Sequence, residues 1–166
     1  TNYRIIVTNN SGWNTNIITT GTNIIISNLA EGTNYWKVQA QDKSGNWGAF
    51  SNIWTVIVDT TPPSTVTLYQ PPDNVWTNNS SINFVWSSGF DAISGVSNYQ
   101  IFITNSQALW STNIVTDMTD IIVNLPEGTN EWRVQVQDKV GNWSLWSSTN
   151  VIKVDITPPV GAVTLL

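Results

Sequence analysis

The feature that most constrains this chain is an internal repeat. The segment LPEGTNEWRVQVQDKVGNW at 125–143 has an earlier counterpart, LAEGTNYWKVQAQDKSGNW, at 29–47, so the two copies are offset by 96 residues. Self-similarity at a fixed period indicates one structural unit that recurs along the chain, and about 100 residues is the size of a single β-sandwich. With 166 residues, the chain is too short for two full copies of such a unit.

Apolar and polar residues alternate strictly inside both copies of the repeat. An alternation with period 2 predicts an antiparallel strand that is packed on one side and exposed to water on the other. We therefore expect Trp36, Trp86 and Trp132 to lie in the core. The inward positions of the repeated strand are Trp132, Val134 and Val136 in the second copy and Trp36, Val38 and Ala40 in the first.

Turn and junction signals follow the repeated strand. Gly45 and Gly141 sit in short polar segments and would supply the positive φ that hairpin turns often need. Each copy then ends in Thr-Pro-Pro, at 61–63 and 157–159, where proline ends sheet pairing and favours a stiff, extended junction. The expected organisation is strands C to G of a first sandwich at 1–63, a complete sandwich at 64–159, and at 160–166 the start of a third repeat or a strand that pairs with a neighbour.

Composition narrows the classes of function. The net charge is -5 and the pI is about 4.3, which argues against nucleic acid and anionic membranes as partners. There is no Cys and no His, so disulfides and thiolate metal sites are excluded and the usual catalytic groupings cannot be assembled. Because no apolar run approaches the roughly 18 residues of a membrane span, direct membrane insertion is not expected.

Several positions together resemble a fibronectin type III or immunoglobulin-like repeat of bacterial surface and secreted proteins. They are Trp86, the segment leading from Asp91 to Tyr99, Leu125 with Gly128, the run VQVQDKVGNW and the closing VDITPP. The resemblance implies an all-β fold of tandem immunoglobulin-like sandwiches with Greek-key connections and seven strands per complete unit. It also implies an extracellular or cell-surface location. It implies no particular ligand, because such domains serve many functions.

The segment WSLWS at 143–147 resembles the Trp-Ser-x-Trp-Ser box of class I cytokine receptors. The resemblance implies an arginine stacked between the two tryptophans, and Arg133 on the outward face of its strand is the candidate for a place between Trp143 and Trp146. The first copy has WGAFS at 47–51 with Lys37 in the position of the arginine. This variation favours a packing role over recognition of a receptor ligand.

Exposed tryptophans are a second candidate feature, because sugar-binding modules use indole rings as stacking platforms. The chain has ten tryptophans, of which Trp13, Trp54, Trp76 and Trp110 are the candidates for surface aromatics. Trp13 and Trp110 occupy equivalent places in the two copies, and we take them as possible contacts with a glycan or another partner.

Acidic residues close to the repeat junctions are a third candidate feature. Asp59 and Asp155 precede the two proline pairs, and Asp91 precedes a predicted strand. Calcium bound in a domain linker needs several oxygen ligands, so these three residues form a weak candidate set for calcium. Ordinary solvated carboxylates are the simpler interpretation, and no other cofactor is expected.

The sequence thus predicts a non-catalytic structural or adhesive repeat of an extracellular bacterial protein, acting as stalk, spacer or fibre-forming module. Its partners would be adjacent repeats of the same chain, other copies that bind through strand complementation or edge pairing, or surface glycans. Strands missing from 1–63 could come from another copy, or from a longer parent chain of which this sequence is a part. The alternative function is a carbohydrate-binding module appended to a secreted enzyme.

Overall fold

Residues 1–161 are described by a computed structural model, and they contain β-strands and no helix. The all-β prediction is therefore confirmed. Within these residues no helix is long and apolar enough to cross a membrane. The chain divides into two compact units, Thr1–Thr60 (unit 1) and Thr61–Leu166 (unit 2). The strand expected at 160–166 falls largely outside the described residues.

Unit 1 is built on one antiparallel sheet. Its strands are β1 (Asn2–Asn9), β2 (Asn14–Thr19), β3 (Gly32–Gln41) and β4 (Trp54–Val58), in the order β2-β1-β3-β4. The repeated strand of the first copy is β3, which lies between β1 and β4 in the middle of this sheet. Ile5 and Val7 of β1 are buried on one face of it.

The described residues of unit 2 form two sheets. The strands are β5 (Leu68–Gln70), β6 (Val75–Thr77), β7 (Ser81–Trp86), β8 (Val96–Asn105), β9 (Trp110–Thr116), β10 (Asp120–Asn124), β11 (Gly128–Asp138) and β12 (Asn150–Val154). One sheet has the order β10-β7-β5, and the other has the order β6-β12-β11-β8-β9. The chain passes repeatedly from one sheet to the other, as the Greek-key connections of a sandwich require.

The core of unit 2 lies between the inner faces of its two sheets. The repeated strand of the second copy is β11, and its inward residues Trp132, Val134 and Val136 are fully buried. Phe84 and Trp86 of β7 cover them from the opposite sheet and belong to the same apolar cluster. The alternation in the sequence therefore identified the inner face of β11 correctly.

Two short strands lie at the start of unit 2. They are β5 and β6, which belong to different sheets on either side of Pro71 and Pro72. Prolines cannot donate to a strand ladder, so the chain leaves one sheet there and joins the other. Since β6 pairs in parallel with β12, the part of unit 2 that the structure describes has eight strands where seven were expected.

The prediction that Trp36 is a core residue was wrong. Trp36 is 36% exposed, whereas its counterpart Trp132 is 0% exposed. Alternation places both indoles on the inner face of a strand, but burial also requires a second layer above that face. In unit 1 the segment above the sheet, 21–29, contains no strand, and it leaves the indole partly accessible.

The predicted turns after β3 and β11 are present. Gly45 and Gly141 have φ values of +93° and +104°, a backbone conformation that residues with a Cβ atom adopt only with strain. In each turn an aspartate N–H donates to an asparagine carbonyl four residues later, Asp42 to Asn46 at 2.9 Å and Asp138 to Asn142 at 3.1 Å. The two copies therefore use the same turn.

Candidate functional site

Arg133 forms an aromatic–cation stack on the outer face of the larger sheet of unit 2. Its guanidinium carbon lies 4.6 Å from the ring centroid of Trp146 and 5.5 Å from that of Phe102. Phe102 is the direct cross-strand neighbour of Arg133 on β8. Trp143, expected to be the second ring, instead forms an isolated bridge with Gln137. The stack is therefore Phe102, Arg133 and Trp146.

The two serines of the WSLWS segment hold it against β11. The backbone N–H of Ser144 donates to the carbonyl of Val136, and that of Ser147 donates to the carbonyl of Val134, both at 2.8 Å. In return, each serine Oγ accepts a hydrogen bond from the N–H of the same valine, at 2.9 Å for Ser144 and 3.0 Å for Ser147. These reciprocal bonds replace a strand ladder and fix the position of Trp146.

Unit 1 repeats this surface with different residues. Lys37 lies 4.3 Å from the ring of Phe50, and Arg4 lies 4.3 Å from the ring of Trp47. Ser51, the counterpart of Ser147, again accepts from the N–H of Val38 at 3.1 Å. Each exposed cation–π contact contributes about 0.5–1 kcal/mol, which suits a group that shields the sheet. A surface that keeps its geometry while its residues change is typical of packing.

Asp91 and Asp138 close loops within unit 2. Oδ1 of Asp91 accepts hydrogen bonds from the N–H groups of Ile93, Ser94 and Gly95 at 3.1, 2.8 and 2.7 Å. Burial alone would raise the pKa of Asp91, but these hydrogen bonds outweigh it and the pKa is lowered. Carboxylate oxygens of the two aspartates lie within 4.8 Å of each other.

Asp138 makes the corresponding set of bonds in the turn after β11. Its Oδ1 accepts from the N–H groups of Val140, Gly141 and Asn142 at 2.9, 2.7 and 2.8 Å. Its Oδ2 accepts from the Asn142 side chain at 2.7 Å. Burial opposes these bonds, yet the pKa of Asp138 is lowered. The structural role of this carboxylate is therefore to cap the turn.

Asp59 and Asp155 are the two other proposed calcium ligands. Asp59 directly follows β4 of unit 1. Asp155 follows β12, is exposed, and accepts a hydrogen bond from the N–H of Thr157 at 3.2 Å. Calcium binding by Asp59, Asp91 and Asp155 stays a prediction.

The proposed glycan contacts also differ in their surroundings. Trp110 is half-buried and packs against the core of unit 2, and Trp13 is half-buried beside the turn that follows β1. The two most exposed indoles of the described residues are Trp54 and Trp76, at 63% and 66%. Glycan binding by Trp13 or Trp110 stays a prediction, and of the four tryptophans considered from the sequence Trp54 and Trp76 are the more accessible.

A carboxylate clamp that the sequence analysis missed holds the segment after the last strand of each unit. Oε1 of Glu127 accepts from the N–H groups of Ile156 and Thr157 at 3.0 and 2.9 Å, and Oε2 accepts from the Thr157 hydroxyl at 3.0 Å. The bonds from Thr157 and Ile156 lower the pKa of Glu127. In unit 1, Glu31 accepts from the N–H of Thr60 at 3.1 Å. The repeated Glu-Gly-Thr motif was the available signal.

An apolar groove of about 630 Å³ runs along the inner face of the unit 1 sheet. The segment 21–29 forms one wall, and the sheet forms the floor. Trp36, in the middle of β3, pairs with Trp54 at the start of β4, and their ring centroids lie 6.2 Å apart. The residues that line the groove are Tyr3, Ile5, Val7, Gly21, Thr22, Asn23, Ile24, Ile26, Leu29, Trp36, Val38 and Val56.

The strand order of unit 2 defines its class of sandwich. Because β9 pairs with β8 and not with β10, the sheets correspond to strands A-B-E and C′-C-F-G, with β6 added beside strand G. Unit 2 has an immunoglobulin-like sandwich fold of the fibronectin type III kind.

No protein-family model matches the chain, and no curated protein matches it. Among solved structures, it is similar to fibronectin(III)-like modules of Clostridium thermocellum CbhA, at 17% identity and a TM-score of 0.47, over 91% of this chain and 77% of that one. It is also similar to the FN1–FN3 domains of chicken CNTN1, at 17% identity and a TM-score of 0.49, over 92% of this chain and 55% of that one. A third similar structure is a two-domain fibronectin type III segment of chicken tenascin, at 13% identity and a TM-score of 0.42, over 93% of this chain and 85% of that one. These similarities identify no activity or partner for this chain.

Proposed function

We propose that this chain is a non-catalytic structural or adhesive module of an extracellular bacterial protein, and that its units act as spacers between neighbouring segments. The observation that carries the proposal is the clamp at the end of each unit. Glu31 accepts a hydrogen bond from the backbone directly ahead of one Thr-Pro-Pro sequence, and Glu127 accepts hydrogen bonds from the backbone at the start of the other.

The clamp limits the freedom of the chain where it leaves a unit. Glu127 fixes three donors of Ile156 and Thr157, and the prolines that follow have a restricted φ and an extended preference. A module that only needed to be tethered would gain nothing from this arrangement, because a flexible linker tethers equally well. A module that must project a neighbour in a defined direction would gain from it.

Distance measurements between spin labels test the spacer function. The chain has no native cysteine, so Ser44→Cys in unit 1 and Ser111→Cys in unit 2 provide two exposed and unique labelling sites. We expect a narrow distance distribution that Glu31→Ala broadens. Glu131→Ala, an exposed glutamate on β11 outside the clamp, serves as the control. A broad distribution in the parent chain, or no effect of Glu31→Ala, would contradict the proposal.

Carbohydrate binding is the second candidate function, and the exposed indoles of Trp54 and Trp76 favour it. Indole faces stack on sugar rings when polar groups nearby fix the orientation of the sugar. Affinity electrophoresis through gels that contain polysaccharides tests it directly. Retardation that Trp54→Ala or Trp76→Ala removes, with an unchanged circular dichroism spectrum, would support this function. Equal mobility in every gel would exclude it for the polysaccharides used.

A further inference from the structure

The two copies of the repeat differ in whether a strand covers the inner face of the sheet. In unit 2, β10 pairs with β7 in the register Ile121 opposite Phe84 and Val123 opposite Ile82. The equivalent residues of unit 1, 24–28, form no strand. The same sequence position is thus a paired strand in one copy and an irregular segment in the other.

The equivalent tryptophans Trp132 and Trp36 differ in burial in the same way, covered in unit 2 and partly open in unit 1. Phe84 of β7 contacts the edge of Trp132, with ring centroids 4.9 Å apart, and Trp132 is fully buried. In unit 1 the floor residue Trp36 is 36% exposed and lines the groove. The groove therefore occupies, in unit 1, the place that β7 fills in unit 2.

The segment 24–28 also shows a different face to the sheet. In β10, Ile121 is half-buried and packs against the core. Its counterpart Ile25 is 95% exposed, while the neighbouring Ile24 and Ile26 line the groove. Because the side chains of a strand alternate, pairing in the β10 register would turn Ile25 inward and Ile24 outward. Position 24 corresponds to Asp120, an exposed residue in unit 2.

We propose that the groove of unit 1 binds a polypeptide strand whose alternate residues are large and apolar, on the pattern of Ser81–Trp86. The strand would pair antiparallel with residues 24–28 and place its apolar side chains on Trp36 and Val38. Strand addition supplies both elements the site lacks, namely backbone partners for 24–28 and apolar cover for the floor.

The chemistry of the groove favours such a strand over a sugar. Most of its lining is aliphatic or aromatic, and the polar lining residues are confined to Thr22 and Asn23 at one end, with Tyr3 on the floor. A sugar site needs polar groups that converge on the ligand hydroxyls. The inference does not depend on the spacer function, since the groove and the clamps involve different residues.

The test uses the 166-residue chain and a synthetic peptide of residues 78–88, which contains β7. Titration is followed by the amide resonances of 24–28 and the indole N–H of Trp36. We expect saturable binding in a ratio of one to one, with shifts at both places. A peptide that carries Phe84→Asp should bind at least roughly tenfold more weakly, because it buries a charge against the groove.

Two chain variants provide a matched pair. Ile25→Asp should abolish peptide binding, because pairing turns residue 25 inward. Ile24→Asp should preserve it, because unit 2 has an aspartate at the equivalent position and exposes it. Equal loss of binding in both variants would contradict the β10 register.

A covalent version removes the dependence on peptide affinity. Residues 64–96, which contain β5 to β7 and the loop to β8, are duplicated ahead of Thr1, in the position they hold ahead of Ser97. We expect hydrogen exchange at the amides of 25 and 27, which would face the added strand, to slow by roughly tenfold or more relative to the parent chain. The proposal is overturned if those amides stay unprotected. It is also overturned if the peptide leaves the resonances of 24–28 and Trp36 unshifted while a higher protein concentration or an added oligosaccharide shifts them.

Discussion

Phe84 meets the indole of Trp132 edge-on across the two sheets of unit 2, with ring centroids 4.9 Å apart and an interplanar angle of 71°. Both side chains are fully buried, so this contact lies at the centre of the unit 2 core. Edge-to-face aromatic pairs add about 0.5–1.5 kcal/mol to the stabilisation from burial alone.

Phe84→Ala should therefore destabilise unit 2 by about 3–5 kcal/mol, the usual cost of truncating a buried aromatic residue. The measurement is the free energy of unfolding from urea denaturation. Phe90→Ala is the matched control, because Phe90 is 68% exposed, and we expect a change of no more than about 0.5 kcal/mol. Similar effects of the two substitutions would show that β7 does not cover the core as described.

A double-mutant cycle tests the composition of the aromatic–cation stack. Arg133→Ala combined with Trp146→Ala should show a coupling free energy of about 0.5–1 kcal/mol, because the guanidinium lies against that ring. Arg133→Ala combined with Trp143→Ala should show almost none, because Phe102 is the second ring. Equal coupling of Arg133 to Trp143 and to Trp146 would contradict the observed stack and support the arrangement predicted from the sequence, in which Arg133 lies between the two indoles.

The lowered pKa of Asp138 predicts a dependence of stability on pH. The carboxylate is held below its ordinary pKa of 3.8 by bonds that outweigh its burial, so its deprotonated form stabilises the fold above that value. This contribution is lost as the pH falls below 3.8 and through the lower pKa of the folded state. Asp138→Asn should therefore cost more stability at neutral pH than at about pH 2.5.

Urea denaturation of the parent chain and of the Asp138→Asn variant across this pH range provides the measurement. The two stability curves should converge toward low pH, because the parent carboxyl is then protonated as well. A constant difference at all pH values would show that the charge of Asp138 does not contribute to the turn.

For the repeated strand, the sequence predicted both that it is a strand and which of its residues face inward, because both depend on the local alternation of apolar and polar residues. The inward positions of β11 and the glycine turn at Gly141 follow from residues close together in the chain. Burial could not be predicted in the same way. Trp36 and Trp132 have nearly identical local sequences, and the presence of a second sheet above one of them separates their exposure.

Partners across strands were also beyond the sequence analysis. Phe102 was not considered as a partner of Arg133, since their pairing depends on the register of β8 against β11. The clamp by Glu127 was missed for a related reason, because its partners lie 29 and 30 residues later in the chain. Contacts of this kind require the topology, which spacing alone does not provide.

Hydrogen exchange in the 166-residue chain tests most directly the claim that unit 2 is a covered sandwich and unit 1 an open one. Leu29 and Leu125 are equivalent residues, and the N–H of Leu125 donates to the carbonyl of Ser80 at 2.9 Å at the edge of the β7 pairing. We predict strong protection at 121, 123 and 125, the alternate amides that face β7 from the edge strand β10, and exchange at least roughly a hundredfold faster at 25, 27 and 29, because local opening there breaks no strand pairing. Equal protection of the two segments would contradict this account.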